Sequence, residues 1–447
     1  MRVQLCAILQ ALERTFISMS ISLGLFVVSS LPLRAQKAWS ADDFVNSVGI
    51  NVHLNYLDTP YANFPEVLHA LEQLGVRHVR DGLIDTTGQG YYDRHNQLGR
   101  SGIKGTFITS PAQSAPLLLA YPARMDDSFE AYEGPNEYDQ SSDANWAVTL
   151  TSFVERLEQT VKSNSATSRF AVIGPSLTRP DSYTKLRGIC SFEFENLHNY
   201  FGGRNPGTPG WGENGYGSIS WNLSNVGMAC AGKPVITTET GYQTDLTLNQ
   251  SIPEEVAASY VPRIFLEQWL QGIQRTYLYE LIDLPPGRGA ADSGFGLLRS
   301  DLSFKPAYLA LMNLLHLLAD PGPSYAGKEF NFLLSGNLSQ VDHALFEKRN
   351  GAFYLAIWVE QPGYDVNRKQ AIPVPVHQVV LQTEGEVNVV SHSLDKTGAM
   401  RTASLGISAA HAVEVSDLLT ILEIDQIRSA TTRNPIQKMA VGIHRGN

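Results

Sequence analysis

Between about residue 47 and residue 320, short apolar runs of strand length alternate with segments whose apolar residues recur at helical spacing. That alternation predicts a parallel α/β architecture. The runs at 48–56, 76–80, 103–108, 129–133, 170–174, 196–201, 234–238 and 276–284 read as eight strands. Helical spacing is clearest at 64–74 (Val67, Leu68, Leu71, Leu74, then Gly75 as a stop), 146–161, 256–270 and 307–318. Eight such units in this length match a (β/α)₈ TIM barrel.

The pattern changes at Pro321-Gly322-Pro323. Beyond it come short alternating runs at 341–347, 352–358, 376–381, 387–391, 412–415 and 418–424, with Asn350-Gly351 as a hairpin turn between the first two. They predict a small all-β sandwich over 321–430, after a barrel over 36–320. Residues 431–447 are polar and unpatterned, and are expected to be a disordered tail. At the other end, 1–35 reads as an export signal: a basic start, then an apolar stretch at 17–31 too short to span a bilayer comfortably, with cleavage after Ala35. The competing interpretation is an uncleaved membrane anchor. No later segment has the length and apolarity of a span, so no integral membrane domain is expected after cleavage, and the chain is expected to be secreted or periplasmic.

Composition narrows the partners. At 447 residues, 43% hydrophobic and 17% charged, the chain can bury a large core. A net charge of −10 argues against a nucleic-acid surface, which needs clustered Lys and Arg. Past the leader only Cys190 and Cys230 remain; a bridge and two free thiols are both open. No CxxC or Cys/His cluster suggests a metal site, and no cofactor is expected.

Candidate chemistry lies where strands end, because barrel sites form at the C-terminal ends of strands. Strand four runs into Glu133-Gly134-Pro135-Asn136-Glu137, and strand seven into Thr238-Glu239-Thr240-Gly241-Tyr242. Strands four and seven face each other across a barrel, so Glu137 and Glu239 can flank one substrate. Two carboxyl groups, one protonated and one ionised, suffice to cleave a glycosidic bond with retention. Glu137 is assigned as acid/base and Glu239 as nucleophile, with Asn136 bonding a sugar hydroxyl. Each has a plain structural competitor. Glu133 rivals Glu137 within the motif, or forms a structural ion pair. Glu239 could cap a turn, Arg80 be a salt-bridge partner, and His198 a satisfied core histidine. His53 and Asn55 end strand one and could line the cleft. Trp211, Trp221 and Tyr242 could stack on sugars or simply pack.

The 134–137 and 238–242 runs resemble the two catalytic strands of clan A glycoside hydrolases, and the chain is most similar to the family 39-like and family 5-like members with a C-terminal β-sandwich. The resemblance covers roughly residues 47–320. It implies a retaining mechanism with the same two roles for Glu137 and Glu239. It also implies an arginine contacting the nucleophile at Arg80, and substrate-side groups at His198 and Tyr200. The segments at 296–301 and 305–308 resemble the stretch after strand eight. One departure stands out: Tyr279, Glu280 and Asp283 occupy the region where many members place a tryptophan under the sugar. The expectation is a retaining O-glycosyl hydrolase acting on a β-linked oligo- or polysaccharide, with Tyr242 and Tyr279 also on the substrate side. The alternatives are an inactive carbohydrate-binding protein on the same barrel and a polysaccharide-assembly transglycosylase.

Overall fold

The computed structural model describes residues 32–86, 88–285 and 293–427. The expected tail at 431–447 and all but the last residues of the expected 1–35 signal lie outside them.

Eight parallel strands form the barrel: Val48–Asn51, His78–Gly82, Lys104–Ile108, Phe129–Glu133, Ala171–Ile173, Glu195–His198, Val235–Thr240 and Arg275–Leu278. They pair in sequence order, strand eight pairs with strand one, and a single parallel bridge from Ile173 to Phe194 joins strands five and six. A helix follows each strand. In Phe64–Leu74 the buried residues Phe64, Val67, Ala70, Leu71 and Leu74 lie on one face. Gly75, at φ 83°, closes that helix by donating to the Leu71 and Glu72 carbonyls. Trp146–Lys162 buries Leu150, Phe153, Val154, Leu157 and Val161 by the same spacing. No described helix is long and apolar enough to cross a membrane.

Three strands end at least three residues before their apolar patterns do. Strand one stops at Asn51, strand six at His198 and strand eight at Leu278. The pattern continues because the chain stays buried beyond each strand: Val52, Leu54, Phe201, Leu281 and Ile282 are all inaccessible. Their backbone groups bond across the barrel mouth, as Val52 N does to the Arg80 carbonyl and Leu281 N to that of Asn51. His53, Tyr200 and Tyr279 therefore stand on loops.

Apart from Tyr364–Asp365 and Gln370–Ala371, which pair separately, the remaining strands form one continuous eight-stranded sheet, where the sequence predicts the two sheets of a sandwich. Its order is Arg34–Lys37, Glu329–Gly336, His377–Leu394, Thr420–Gln426, Phe353–Val359, Val341–Glu347 and Trp39–Ser40, with Met400–Val415 also on His377–Leu394. The runs at 376–381 and 387–391 are one 18-residue strand that bonds Glu329–Gly336 with its first half and Thr420–Gln426 with its second. Arg34–Lys37 is a paired strand, so cleavage after Ala35 would cut inside it. Phe353–Val359 is buried at every position. Phe353, Leu355, Ile357 and Val359 face the sheet's own core, while Tyr354, Ala356 and Trp358 join the barrel core. A strand covered on both faces loses the polar alternation. Cys190 and Cys230, ahead of strands six and seven, are joined in a disulfide with a Cα–Cα distance of 5.3 Å.

Candidate active site

Side chains alternate along a strand, so Glu133 shares the face of Ala131 and points into the barrel. There it is wholly buried and accepts both forks of Arg80, from Nε at 2.6 Å and Nη2 at 2.8 Å. Asn196 Nδ2 and the Thr238 hydroxyl complete its shell, at 2.9 and 3.2 Å. Glu133 is thus a structural ion-pair partner. The chain then turns through Gly134, where a Cβ would lie 2.7 Å from Pro175 N. Glu137 follows in the left-handed region, φ 45° and ψ 39°, with its backbone N–H on Ser176 Oγ at 3.1 Å. A non-glycine residue held there is strained, and such strain gathers at functional sites.

Arg80, 2% exposed, organises the mouth. Besides Glu133 it donates to Asn51 Oδ1 at 2.8 Å, Asn136 Oδ1 at 2.6 Å and Glu239 Oε1 at 2.6 Å. Glu239 Oε2 accepts from the Tyr200 hydroxyl at 2.9 Å and lies 3.5 Å from His198 Nδ1. The same histidine nitrogen is 2.9 Å from Glu137 Oε1, while its Nε2 meets Thr238 Oγ1 at 3.1 Å. Gln140 Nε2 donates to Glu137 Oε2 at 3.1 Å. One oxygen each of Glu137 and Glu239 and a ring nitrogen of His198 all lie within 4.8 Å of one another. Strand seven is followed by Gly241, where a Cβ would sit 2.3 Å from the Tyr279 carbonyl.

Burial opposes ionisation of Glu239, but the charges of His198 and Arg80 and the hydrogen bonds from Arg80 and Tyr200 outweigh it, so its pKa falls below the ordinary carboxylate value. Burial and the adjacent Glu239 push the Tyr200 phenol well up, keeping it a donor. A second buried pair sits across the mouth. Burial raises Glu280 to about 7 despite the adjacent His53, whose Nε2 is 3.3 Å away. Burial would lower the pKa of His53, yet contact with Glu280 raises it.

These groups open onto a cavity of about 780 Å³. Of the residues expected from sequence, His53, Asn55, Arg80, Asn136, Glu137, Tyr200, Glu239, Tyr242 and Tyr279 line it. His198 lies behind this wall, 8% exposed, between the two glutamates. Tyr242 is chiefly a packing residue: its ring stacks on Phe201 at 5.9 Å and its hydroxyl donates to the Arg204 carbonyl at 2.5 Å. Trp211 and Trp221 are not among the lining residues; they pack around Tyr216. Asn51, Asn196 and Thr238 also bond within the cluster around Arg80 and Glu133, and the sequence pattern assigns a role to none of them. Asn51 also ties strand one to strands seven and eight through the Thr238 and Leu278 carbonyls. Glu137, His198 and Glu239 have spacing that could hold a cation, as do Glu267, Asp342 and Glu360; Arg80 already pairs with Glu239 in the first group and Arg263 with Glu360 in the second.

Known structures share this parallel barrel with its attached sheet over most of the chain. No protein-family model and no curated protein sequence matches. A family 39 glycoside hydrolase from Bacteroides cellulosilyticus WH2 superposes with a TM-score of 0.61 at 15% identity, over 86% of this chain and 82% of that one. A monomeric β-xylosidase from Caulobacter crescentus CB15 gives 0.54 at 14%, over 87% and 98%. An α-L-arabinofuranosidase from Thermotoga maritima gives 0.52 at 11%, over 81% and 90%. At these identities the likeness establishes a shared fold.

Proposed function

We propose that the protein is a retaining glycoside hydrolase in which Glu239 is the nucleophile and Glu137 the acid/base. The observation that carries this is the approach of the two carboxyl groups to within 4.8 Å at their nearest ligand atoms, on the cavity wall. Retaining enzymes hold their carboxyl groups about 5–5.5 Å apart, whereas inverting enzymes leave roughly 6.5–9.5 Å for a water. In the first step a Glu239 oxygen attacks the anomeric carbon while Glu137 gives its proton to the departing glycosidic oxygen. In the second, Glu137 takes a proton from water, the resulting hydroxide attacks the same carbon, and the Glu239 ester bond breaks. Arg80 and Tyr200 keep Glu239 ionised and aimed, and Asn136, anchored by Arg80, faces the sugar from strand four. A neutral β-linked oligo- or polysaccharide fits a cavity of this size. The Cys190–Cys230 bridge supports action outside the cytoplasm, since disulfides persist in oxidising compartments.

The test is turnover of aryl glycosides, including β-xylosides and α-L-arabinofuranosides, by wild-type protein, Glu239→Ala and Glu137→Gln. Turnover in the wild type and its collapse in both variants is expected. Wild-type rates in both variants would remove the assignment, and glycan binding without any cleavage would favour an inactive binding protein.

A further inference from the structure

Two loops wall the cavity on one side, one after strand six (199–218) and one after strand seven (241–253). Both use backbone that few residues tolerate: Gly202 and Gly203 have φ of 58° and 75°, and Gln250, also on the wall, has φ of 61°. The barrel does not hold these loops alone. Residues 360–371, which follow the sheet strand Phe353–Val359, reach both. The Glu360 carboxylate, 7% exposed, accepts from Asn205 Nδ2 at 2.7 Å and Gly207 N at 2.9 Å on the first loop. Arg263 Nη2 reaches the same oxygen at 2.6 Å, and the other oxygen accepts from Arg263 Nε and Trp358 Nε1, at 2.8 and 2.9 Å. Gly207 is pressed against it, since a Cβ there would be 2.4 Å from Glu360 Cγ. At Gly203 a Cβ would meet Gln250 O at 2.6 Å and Val366 Cγ2 at 2.7 Å, so the sheet segment and both loops converge on that residue. Lys369 Nζ donates to the Leu246 carbonyl of the second loop at 3.0 Å.

We propose that residues 360–371, the segment that leaves the C-terminal sheet after Phe353–Val359, are a positioning element for substrate, with Glu360 and Val366 holding the strand-six loop and Lys369 holding the strand-seven loop. The sheet then sets the shape of one cavity wall rather than only covering barrel helices. This rests on the hydrolase assignment for its kinetic readout. Arg263 needs only a carboxylate partner, and one facing it would satisfy its charge. Glu360 faces Arg263 with both oxygens and on one of them also accepts the two cavity-loop donors, an arrangement that pre-organises a binding wall.

Full-length Asn205→Ala and Lys369→Ala each remove a tie while leaving the Arg263–Glu360 pair and all the mouth residues in place, and Gly207→Ala drives a methyl group against Glu360 and forces the loop and the carboxylate apart. Amide hydrogen exchange at 199–210 and 243–251, thermal midpoint, and separate kcat and KM on an aryl glycoside are measured. Loss of a hydrogen bond to a charged acceptor is expected to speed loop exchange about tenfold. KM is expected to rise about fivefold to tenfold with kcat within about twofold, the signature of lost uniform binding. Unchanged loop exchange in all three variants, or faster exchange with unchanged KM, overturns the proposal. A wild-type chain that binds glycan without cleaving it overturns the hydrolase assignment alone, and glycan dissociation constants of the variants then replace KM in the same comparison.

Discussion

The barrel interior holds two polar clusters built from the same strands, one at each end. At the N-terminal end Glu130 of strand four meets His78 of strand two and Arg275 of strand eight, each at 2.8 Å. At the C-terminal end Glu133 of strand four meets Arg80 of strand two, with Glu239 and Glu137 beside them. The residue types are alike; the ratios and surroundings differ. Below, one carboxylate faces one arginine and one histidine. Burial would raise its pKa, but His78 and then Arg275 bring it down to about 2. Above, three carboxyl groups crowd one arginine and one histidine, beside a cavity. Crowding of that kind divides carboxyl groups into ionised and protonated roles, which is what acid–nucleophile chemistry needs. A matched cluster stabilises a fold; an unmatched one beside open space can do chemistry.

Substitutions at the two ends should part company. Glu239→Ala is expected to lower kcat by at least about 10⁴-fold, as removal of a nucleophile does, with little change in thermal midpoint. Glu130→Ala should do the reverse, costing roughly 2 kcal/mol through lost charge-assisted hydrogen bonds while kcat/KM stays within about twofold. Denaturant titration beside turnover checks both; a large activity loss in Glu130→Ala would erase the contrast. Tyr200→Phe comes next: losing one hydrogen bond to Glu239 should lower kcat/KM about tenfold and move the acid limb of its pH profile upward, because that bond helps to depress the Glu239 pKa. In the wild type that limb should lie below pH 4.5, the ordinary value for the group.

The smallest effect concerns stability against pH. Glu130 has a folded pKa below its unfolded one, so its contribution is present above about pH 4.5 and is lost as pH falls toward 2. Glu195 is opposite: burial raises it to about 8, so stability is greatest below pH 4.5 and declines as pH rises toward 8. Glu130→Gln should flatten the acid slope and Glu195→Gln the neutral one, measured by denaturant midpoints across pH. A Glu130→Gln shift in the activity limb as well would blur the two ends.

The barrel was legible because its strands are continuous apolar runs ending in polar turns, and the Glu137 and Glu239 segments stood out by that rule alone. Met400–Val415 was legible only at its last residues, because most of the strand is exposed and carries no apolar alternation. Arg34–Ser40 was hidden by its place beside an apolar leader, although it pairs at two edges of the sheet. At the mouth, Glu133 and Glu137 are four residues apart, and only the pleat and the turn at Gly134 send one into the core and the other to the cavity wall. The tie from Glu360 to Asn205 spans 155 positions, and no local pattern announces it.

Covalent trapping tests the central claim most directly. A 2-deoxy-2-fluoro glycoside with a good leaving group slows both steps and lets a glycosyl-enzyme accumulate; the modified peptide is then identified by mass spectrometry. One sugar attached through Glu239, absent from Glu239→Ala, is the expected result. Attachment at Glu137 or Glu133, or hydrolysis with inversion and no adduct, would contradict it.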